Sequence, residues 1–148
     1  MNSAAKEYWD QYWGSEEKPD KVSAWMFGDT PDALAQKVII GQKTATCSAY
    51  VLYETENEPL PEVNEYSIIL NSLEEPVAII KTIEVTLTPF NEVNEEFALA
   101  EGEGTYEEWR LIHERFFKEA LSTAGLPYSS EMLLVCERFE LVDVKGGN

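Results

Sequence analysis

Two short stretches carry residues whose types and spacing can do chemistry. The first is G-Q-K-T-A-T-C-S at 41–48, which sets Lys43 just past a glycine and follows it with hydroxyls at Thr44, Thr46 and Ser48. If this stretch enters a strand, period-two alternation puts the three hydroxyls on one face. Lys43 and Thr46 stand three apart, which in a regular strand would send them to opposite faces. They can converge if Lys43 still belongs to the turn that Gly41 permits, and a four-carbon stem can curl over the strand. The chemistry on offer is a pocket lined by Lys43, as a cation or general base, and Thr46, as a nucleophile. The second stretch is A-E-G-E-G-T at 100–105. From Glu92 to Glu108 there are seven acidic residues and no basic one. Glu101 and Glu103 stand apart because each is flanked by glycine, where backbone can approach a ligand closely.

The elements that must position these residues can be read from period and punctuation. Residues 4–13 read as a helix with Tyr8, Trp9, Tyr12 and Trp13 on one aromatic stripe. The charged 14–21 segment reads as a loop. Asp29-Thr30-Pro31 opens a second helix with a capping side chain before a first-turn proline. Leu34, Ala35, Val38 and Ile39 form its buried stripe, and Gly41 ends it. Strands are predicted over 44–53, 66–70, 76–88 and about 132–142, rich in β-branched and aromatic residues. On the third of these, Val77, Ile79, Lys81, Ile83, Val85 and Leu87 share a face. A helix is predicted over 91–100. Another starts at Thr105, where Glu108 completes a capping box, with Trp109, Ile112, Phe116 and Ala120 as its stripe. Gly125-Leu126-Pro127 stops it. Strands that do not alternate regularly with helices indicate an α+β fold with a mostly antiparallel, barrel-like sheet.

Composition narrows the functions. The chain has 148 residues, a length typical of one domain, and a net charge of −17 from 11 Lys and Arg against 28 Asp and Glu. Such a surface repels a phosphate backbone, and the cations form no run that would gather on one face, so RNA is a disfavoured partner. No apolar run approaches the roughly 20 residues of a membrane span, and the N-terminus lacks an apolar signal core, so the expected compartment is the cytoplasm. Cys47 and Cys136 lie in apolar stretches without C-x-x-C spacing and read as free thiols. With His113 the single histidine, no metal ligand set and no cofactor motif is legible. His113 reads as a surface or packing residue. Arg110, three residues before it on the same helix face, is placed to reach the E-G-E-G turn.

The segment G-Q-K-T-A-T-C-S resembles the G-x-K-x-x-T signature of ASCH domains, relatives of the PUA RNA-binding fold. The resemblance extends to a longer bacterial subfamily through W-M-F-G-D at 25–29, P-L-P-E-V at 59–63, P-F-N-E-V at 89–93, E-E-F-A-L-A-E-G-E-G at 95–104, E-W-R-L-I-H-E-R-F-F at 108–117 and V-C-E-R-F-E at 135–140. It implies one PUA-like domain over 1–148, a β-barrel of about six strands decorated by about four helices, with a helical extension at about 1–28. Some members hydrolyse the amide of N(4)-acetylcytidine with a lysine and threonine of the signature and a later glutamate. Carried over, these fall on Lys43, Thr46 and Glu101. The expected substrate is thus a small acylated nucleoside, contacted by Trp25, Phe27, Thr44, Ser48, Glu103, Tyr106 and Arg110. Smaller members carry an arginine where this chain has Ser48. The wider family suggests two other readings. One is a pocket that binds RNA or a nucleotide without chemistry, stacking a base on Trp25, Phe27 or Tyr106. The other is a metal-dependent ribonuclease holding magnesium through Glu101 and Glu103. Nothing in the sequence sets an oligomeric state.

Overall fold

The computed structural model describes residues 1–146. Its elements run in the order α1 (Ser3–Trp13), β1 (Val22–Trp25), α2 (Pro31–Ile39), β2 (Ala45–Ala49), α3 (Tyr50–Thr55), β3 (Tyr66–Leu70) and β4 (Pro76–Pro89). A single 3-10 turn (Phe90–Glu92), α4 (Glu95–Ala100), α5 (Tyr106–Thr123) and β5 (Leu133–Val144) complete the chain. The fold is α+β, as the sequence predicts. Among the described residues the sheet has five strands in the order β1-β3-β4-β5-β2, with β1–β3 parallel and the rest antiparallel. About six strands and four helices are expected from the sequence; five strands and five α-helices are found among the described residues. No helix among the described residues is long and apolar enough to cross a membrane.

The first 28 residues are more than a helical extension. α1 is capped by Asn2, whose side chain accepts from Ala5 N at 2.8 Å. It packs Ala5, Tyr8 and Trp9 against Ile68, Leu70 and Ile79. Tyr12, at the far side of the predicted stripe, is exposed. Beyond the charged loop, V-S-A-W forms β1 and adds to the sheet beside β3. A strand of four residues with no alternating pattern gives too little signal for periodicity to find.

Two strands depart from expectation for identifiable reasons. β2 stops at Ala49, where its ladder with β5 ends opposite Leu134, and the chain turns directly into α3. Val51 and Leu52 then pack on the core from that helix. The β-favouring residues of 50–53 thus serve packing rather than pairing. β4 carries irregularities at Ile79/Ile80 and Thr82/Glu84. At the first the extra residue is Val142 on β5; at the second it is Ile83 on β4, which reverses the in-out alternation of β4 beyond it. Ile79 and Ile80 are both buried because helices cover both faces of the sheet, α1 over Ile79 and α2 over Ile80. Ile83 and Leu87, predicted to share the apolar face, are 48% and 47% exposed.

The helices close over the sheet in two groups. α2 buries Leu34, Ala35 and Val38 against Phe27, Ile69, Ala78, Ile80 and Phe139. The helix predicted over 91–100 divides into the 3-10 turn and α4, which Asn94 caps by accepting from Phe97 N at 2.9 Å. α5 has the predicted Thr105–Glu108 capping box. Its buried row is Trp109, His113, Phe117 and Leu121, one residue on from the predicted stripe after Trp109. Ile112, Phe116 and Ala120 flank that row, half-buried. This rotation turns His113 inward.

A candidate active site between the Lys43 turn and the Glu101 turn

Lys43 is placed by the end of α2. Gly41 takes φ +82°, and the N–H groups of Gln42 and Lys43 both donate to the Lys37 carbonyl, at 2.8 and 3.0 Å. Lys43 therefore belongs to the turn, and β2 begins two residues later. Thr44 N donates to the Ala100 carbonyl at 2.8 Å, which ties the start of β2 to the end of α4. Glu101 comes immediately afterwards as the C-cap residue of α4.

The two turns are pressed together through Gly102. At φ +73° a Cβ there would lie 2.7 Å from the Gln42 carbonyl oxygen. Lys37 Nζ holds the Gly102 carbonyl at 2.7 Å. Gly102→Ala is expected to cost about 2 kcal/mol or more of unfolding free energy, from a strained backbone plus a steric clash. Urea denaturation measures it; an unchanged midpoint would show that the two turns are not in contact.

A buried ion pair results. Lys43, 2% exposed, sets Nζ 3.2 Å from Oε1 of Glu101, itself 1% exposed, and 3.4 Å from the Glu101 carbonyl oxygen. The same ammonium lies 5.1 Å from the centre of the Phe27 ring. Glu101 Oε2 accepts from Trp109 Nε1 at 2.9 Å. The Cys47 thiol lies close to the same carboxylate, its sulfur within 4.8 Å of a Glu101 oxygen. Burial alone would raise the Glu101 pKa, but Lys43, then His113 and Trp109, outweigh it and hold the carboxyl below its ordinary range. Burial and then the neighbouring Glu101 push the Cys47 thiol well up, so it stays protonated.

His113 is the residue that sequence reasoning missed. Its ring stacks on Trp109 with centroids 4.6 Å apart. Nδ1 lies 2.9 Å from the Trp109 carbonyl, which can only accept, so Nδ1 carries the donated proton. That leaves Nε2 facing Glu101 Oε1 at 3.5 Å and Glu103 Oε2 at 3.4 Å. Burial lowers the His113 pKa, yet the two carboxylates more than offset it and the net direction is up. Glu103 moves up as well, chiefly through burial, and its Oε2 has no hydrogen-bond partner among the described residues. A helix-periodicity argument that placed His113 rather than Ile112 on the Trp109 row would have found it.

Ligand atoms of Cys47, Glu101 and His113 lie within 4.8 Å of one another, a donor set able in principle to hold a metal ion. These residues are far apart along the chain, so no metal-ligand spacing announces them. Here the Lys43 ammonium already sits on the Glu101 oxygen that faces His113, which is the place a cation would take. Glu101 and Glu103 meet across a ring nitrogen rather than an oxygen-lined space, a poor fit to magnesium.

Two cavities meet at this site. The smaller, about 60 Å³, is lined by Lys43, Thr46, Cys47, Glu101, Glu103 and His113 among others. It has room for a few waters or an acyl group. The larger, about 620 Å³, is lined by Trp25, Ser48, Tyr53, Tyr66, Glu137 and neighbours, a size suited to a small-molecule ligand. Phe27, Gly28, Thr46, Cys47 and Phe116 line both. Gly28 lets the Phe116 ring come close, since a Cβ there would stand 2.6 Å from Cε1.

Of the predicted ligand contacts, Trp25, Phe27 and Ser48 line the large cavity and Glu103 the small one. Ser48 Oγ is 2.8 Å from the Tyr53 hydroxyl. The other three lie apart from both cavities. Thr44 is exposed beside Ala100. The Tyr106 hydroxyl donates to the Val93 carbonyl and clamps the 3-10 turn. Arg110 is exposed, with its guanidinium 5.7 Å from the Tyr106 ring centre, so the residue that reaches the E-G-E-G turn is His113.

Comparison with known proteins agrees with this architecture. A family model described as the ASCH domain matches residues 23–143. A solved protein of Enterococcus faecalis V583, assigned to family model DUF984, is 38% identical; the match covers 97% of this chain and 91% of that one, with a TM-score of 0.87. An ASCH domain of Lactobacillus crispatus JV V101 is 28% identical over 95% of each chain, with a TM-score of 0.89. An ASCH protein of Zymomonas mobilis, 11% identical over 84% of this chain and 75% of that one, has a TM-score of 0.50, a likeness of fold alone. No curated protein matches the chain.

Proposed function

From the premise that the chain belongs to the ASCH domain family, we propose that it is an amidohydrolase that removes the acyl group from an acylated nucleoside such as N(4)-acetylcytidine. The observation that carries this reading is the buried Lys43–Glu101 pair beside a chamber of acyl size, with Thr46 on the wall shared with a ligand-sized cavity. The base and ribose occupy the large cavity, whose lining includes Trp25 and Phe27. The acyl carbonyl then reaches the small chamber at the Thr46 boundary.

Hydrolysis needs one proton moved twice. A hydroxyl, of Thr46 or of water, bonds to the acyl carbon and gives up its proton to the Lys43–Glu101 pair. The C–N4 bond breaks as the pair returns a proton to N4, releasing cytidine. If Thr46 is the nucleophile, a water then cleaves the acyl-threonine ester to acetate and free Thr46. Trp109 and His113 hold the Glu101 carboxylate while this happens.

The charge distribution supports a nucleoside over a nucleic acid. Glu58, Glu62, Glu65 and Glu137 all line the large cavity. The one cation among its lining residues, Lys21, is paired with Glu62 at 2.8 Å. Incubation with N(4)-acetylcytidine, with cytidine and acetate detected by mass, is the test. Release is expected, with a rate nearly insensitive to added salt. No cytidine above the protein-free control would overturn the reading, and RNA binding that weakens steeply with salt would favour a binding module instead.

A further inference from the structure

The large cavity contains a group that the reaction above does not use. Glu137 stands directly opposite Thr46 in the β2–β5 ladder. Directly opposed residues leave the sheet on the same face, with Cβ atoms about 5 Å apart. Its hydrogen bond among the described residues is a long one, 3.4 Å from Thr82 Oγ1 to Oε1. No cation among the described residues compensates it. Glu65 before β3 and Tyr53 on α3 act on it electrostatically, and Glu58 and Glu62 in the connecting loop line the same cavity, with Lys21 drawn to Glu62. The adjacent Arg138 is turned to Glu84 and Glu96. Burial pushes the Glu137 carboxyl up to about 7; Thr82 pulls it down slightly and Glu65 adds to the rise.

A neutral carboxyl presents one O–H donor beside one acceptor oxygen. That pair is the complement of a ring nitrogen acceptor next to an exocyclic N–H donor. We propose that Glu137 reads the N3/N4 edge of the cytosine ring, donating to N3 and accepting from N4–H, and so presents the N4 acyl carbon to Thr46 on the opposing strand. The inference rests on the amidohydrolase reading for the identity of the ligand, and it names what selects the base. Specificity arises because a ligand without the ring nitrogen leaves the carboxyl proton unpaired in a half-buried site.

The test is calorimetric titration of the full chain with cytidine and with 3-deazacytidine, in which N3 is replaced by C–H. Wild type should prefer cytidine by about tenfold or more at about pH 6, the range of one bidentate base contact. Between about pH 6 and pH 8 its affinity for cytidine should fall about tenfold as the competent protonated fraction shrinks. Glu137→Gln keeps a donor next to an acceptor. It should retain cytidine affinity and lose the pH dependence, an outcome that a merely structural role would not give. Glu137→Ala should bind cytidine about tenfold more weakly and no longer distinguish the two ligands. Failure of wild type to bind cytidine saturably, equal affinity for the two ligands, or the same pH dependence in wild type and Glu137→Gln would each overturn the inference. The outcomes separate from those of the hydrolase reading. Acyl release with a KM untouched by Glu137→Ala leaves the hydrolase and removes the base reader; cytidine recognition without acyl release does the reverse.

Discussion

Glu101→Gln is expected to lower kcat for release of cytidine from N(4)-acetylcytidine by about 10²–10⁴-fold, the usual reach of a positioned acid–base group. The substitution is close to isosteric, and an amide can still meet the Trp109 N–H with its oxygen. It removes the charge that holds Lys43 at 3.2 Å and the oxygen that exchanges a proton with it. Lys43→Ala should lose a similar amount. The double variant should lose little more, because residues that act as a unit are strongly non-additive. KM should move far less than kcat, since the ligand body lies in the cavity lined by Trp25 and Phe27 rather than on the ion pair. Thr46 then decides the nucleophile. If an acyl-threonine forms, Thr46→Ala falls as far as Glu101→Gln while Thr46→Ser keeps much of the rate; if water attacks, Thr46→Ala falls less. Full turnover by either Glu101→Gln or Lys43→Ala would remove this site from the reaction.

Lys43 and Glu101 are legible in the sequence because each sits close to glycine punctuation, and Thr46, inside β2, through its spacing from Lys43 in the G-x-K-x-x-T pattern. Gly41 marks the turn that keeps Lys43 out of the regular strand, and the glycines around Glu101 mark the turn that meets it. Cys47 and His113, which complete the cluster, carry no such mark. Cys47 lies in an ordinary-looking strand. His113 lies on a helix whose Trp109 row can be continued through Ile112 or His113, and only the packing of Phe117 and Leu121 chooses. The sheet reads well where a strand alternates or stands alone, as at β3, and poorly where local geometry overrides period. β4 defeats the alternation through the extra residue Ile83 and through helices on both faces at Ile79 and Ile80, and β2 yields to α3 where its ladder with β5 ends. Alternation groups Thr44 with Thr46, yet its backbone is committed to Ala100 and its side chain stays outside. Tyr106 and Arg110 have the chemistry of ligand contacts, but the side of α5 they occupy faces the 3-10 turn and solvent.

The same ion pair makes a large contribution to stability testable without substrate. Lys43→Met keeps the aliphatic stem beside Phe27 and leaves the Glu101 carboxylate, 1% exposed, without its cation. Removing one partner of a buried pair costs about 3–5 kcal/mol, because the remaining charge is neither solvated nor paired. The Trp109 and His113 contacts soften that penalty, so a loss of about 3 kcal/mol by urea denaturation near pH 7 is expected. Lys43→Met combined with Glu101→Gln removes the orphaned charge and should recover most of the loss, a coupling that a double-mutant cycle reads directly. The pH dependence has a definite sign. Glu101 has a folded pKa below its unfolded value, so its stabilising effect is complete above about pH 4.3, the ordinary glutamate value, and is lost as pH falls through the lower folded value. Without Lys43 the folded carboxyl rises and that contribution disappears. The gap between wild type and Lys43→Met should therefore be widest near neutrality and narrow on acidification, as Glu101 in the variant takes up a proton. A loss under about 0.5 kcal/mol at neutral pH, the size of an exposed pair, would show that Glu101 reaches solvent and that the chamber is open.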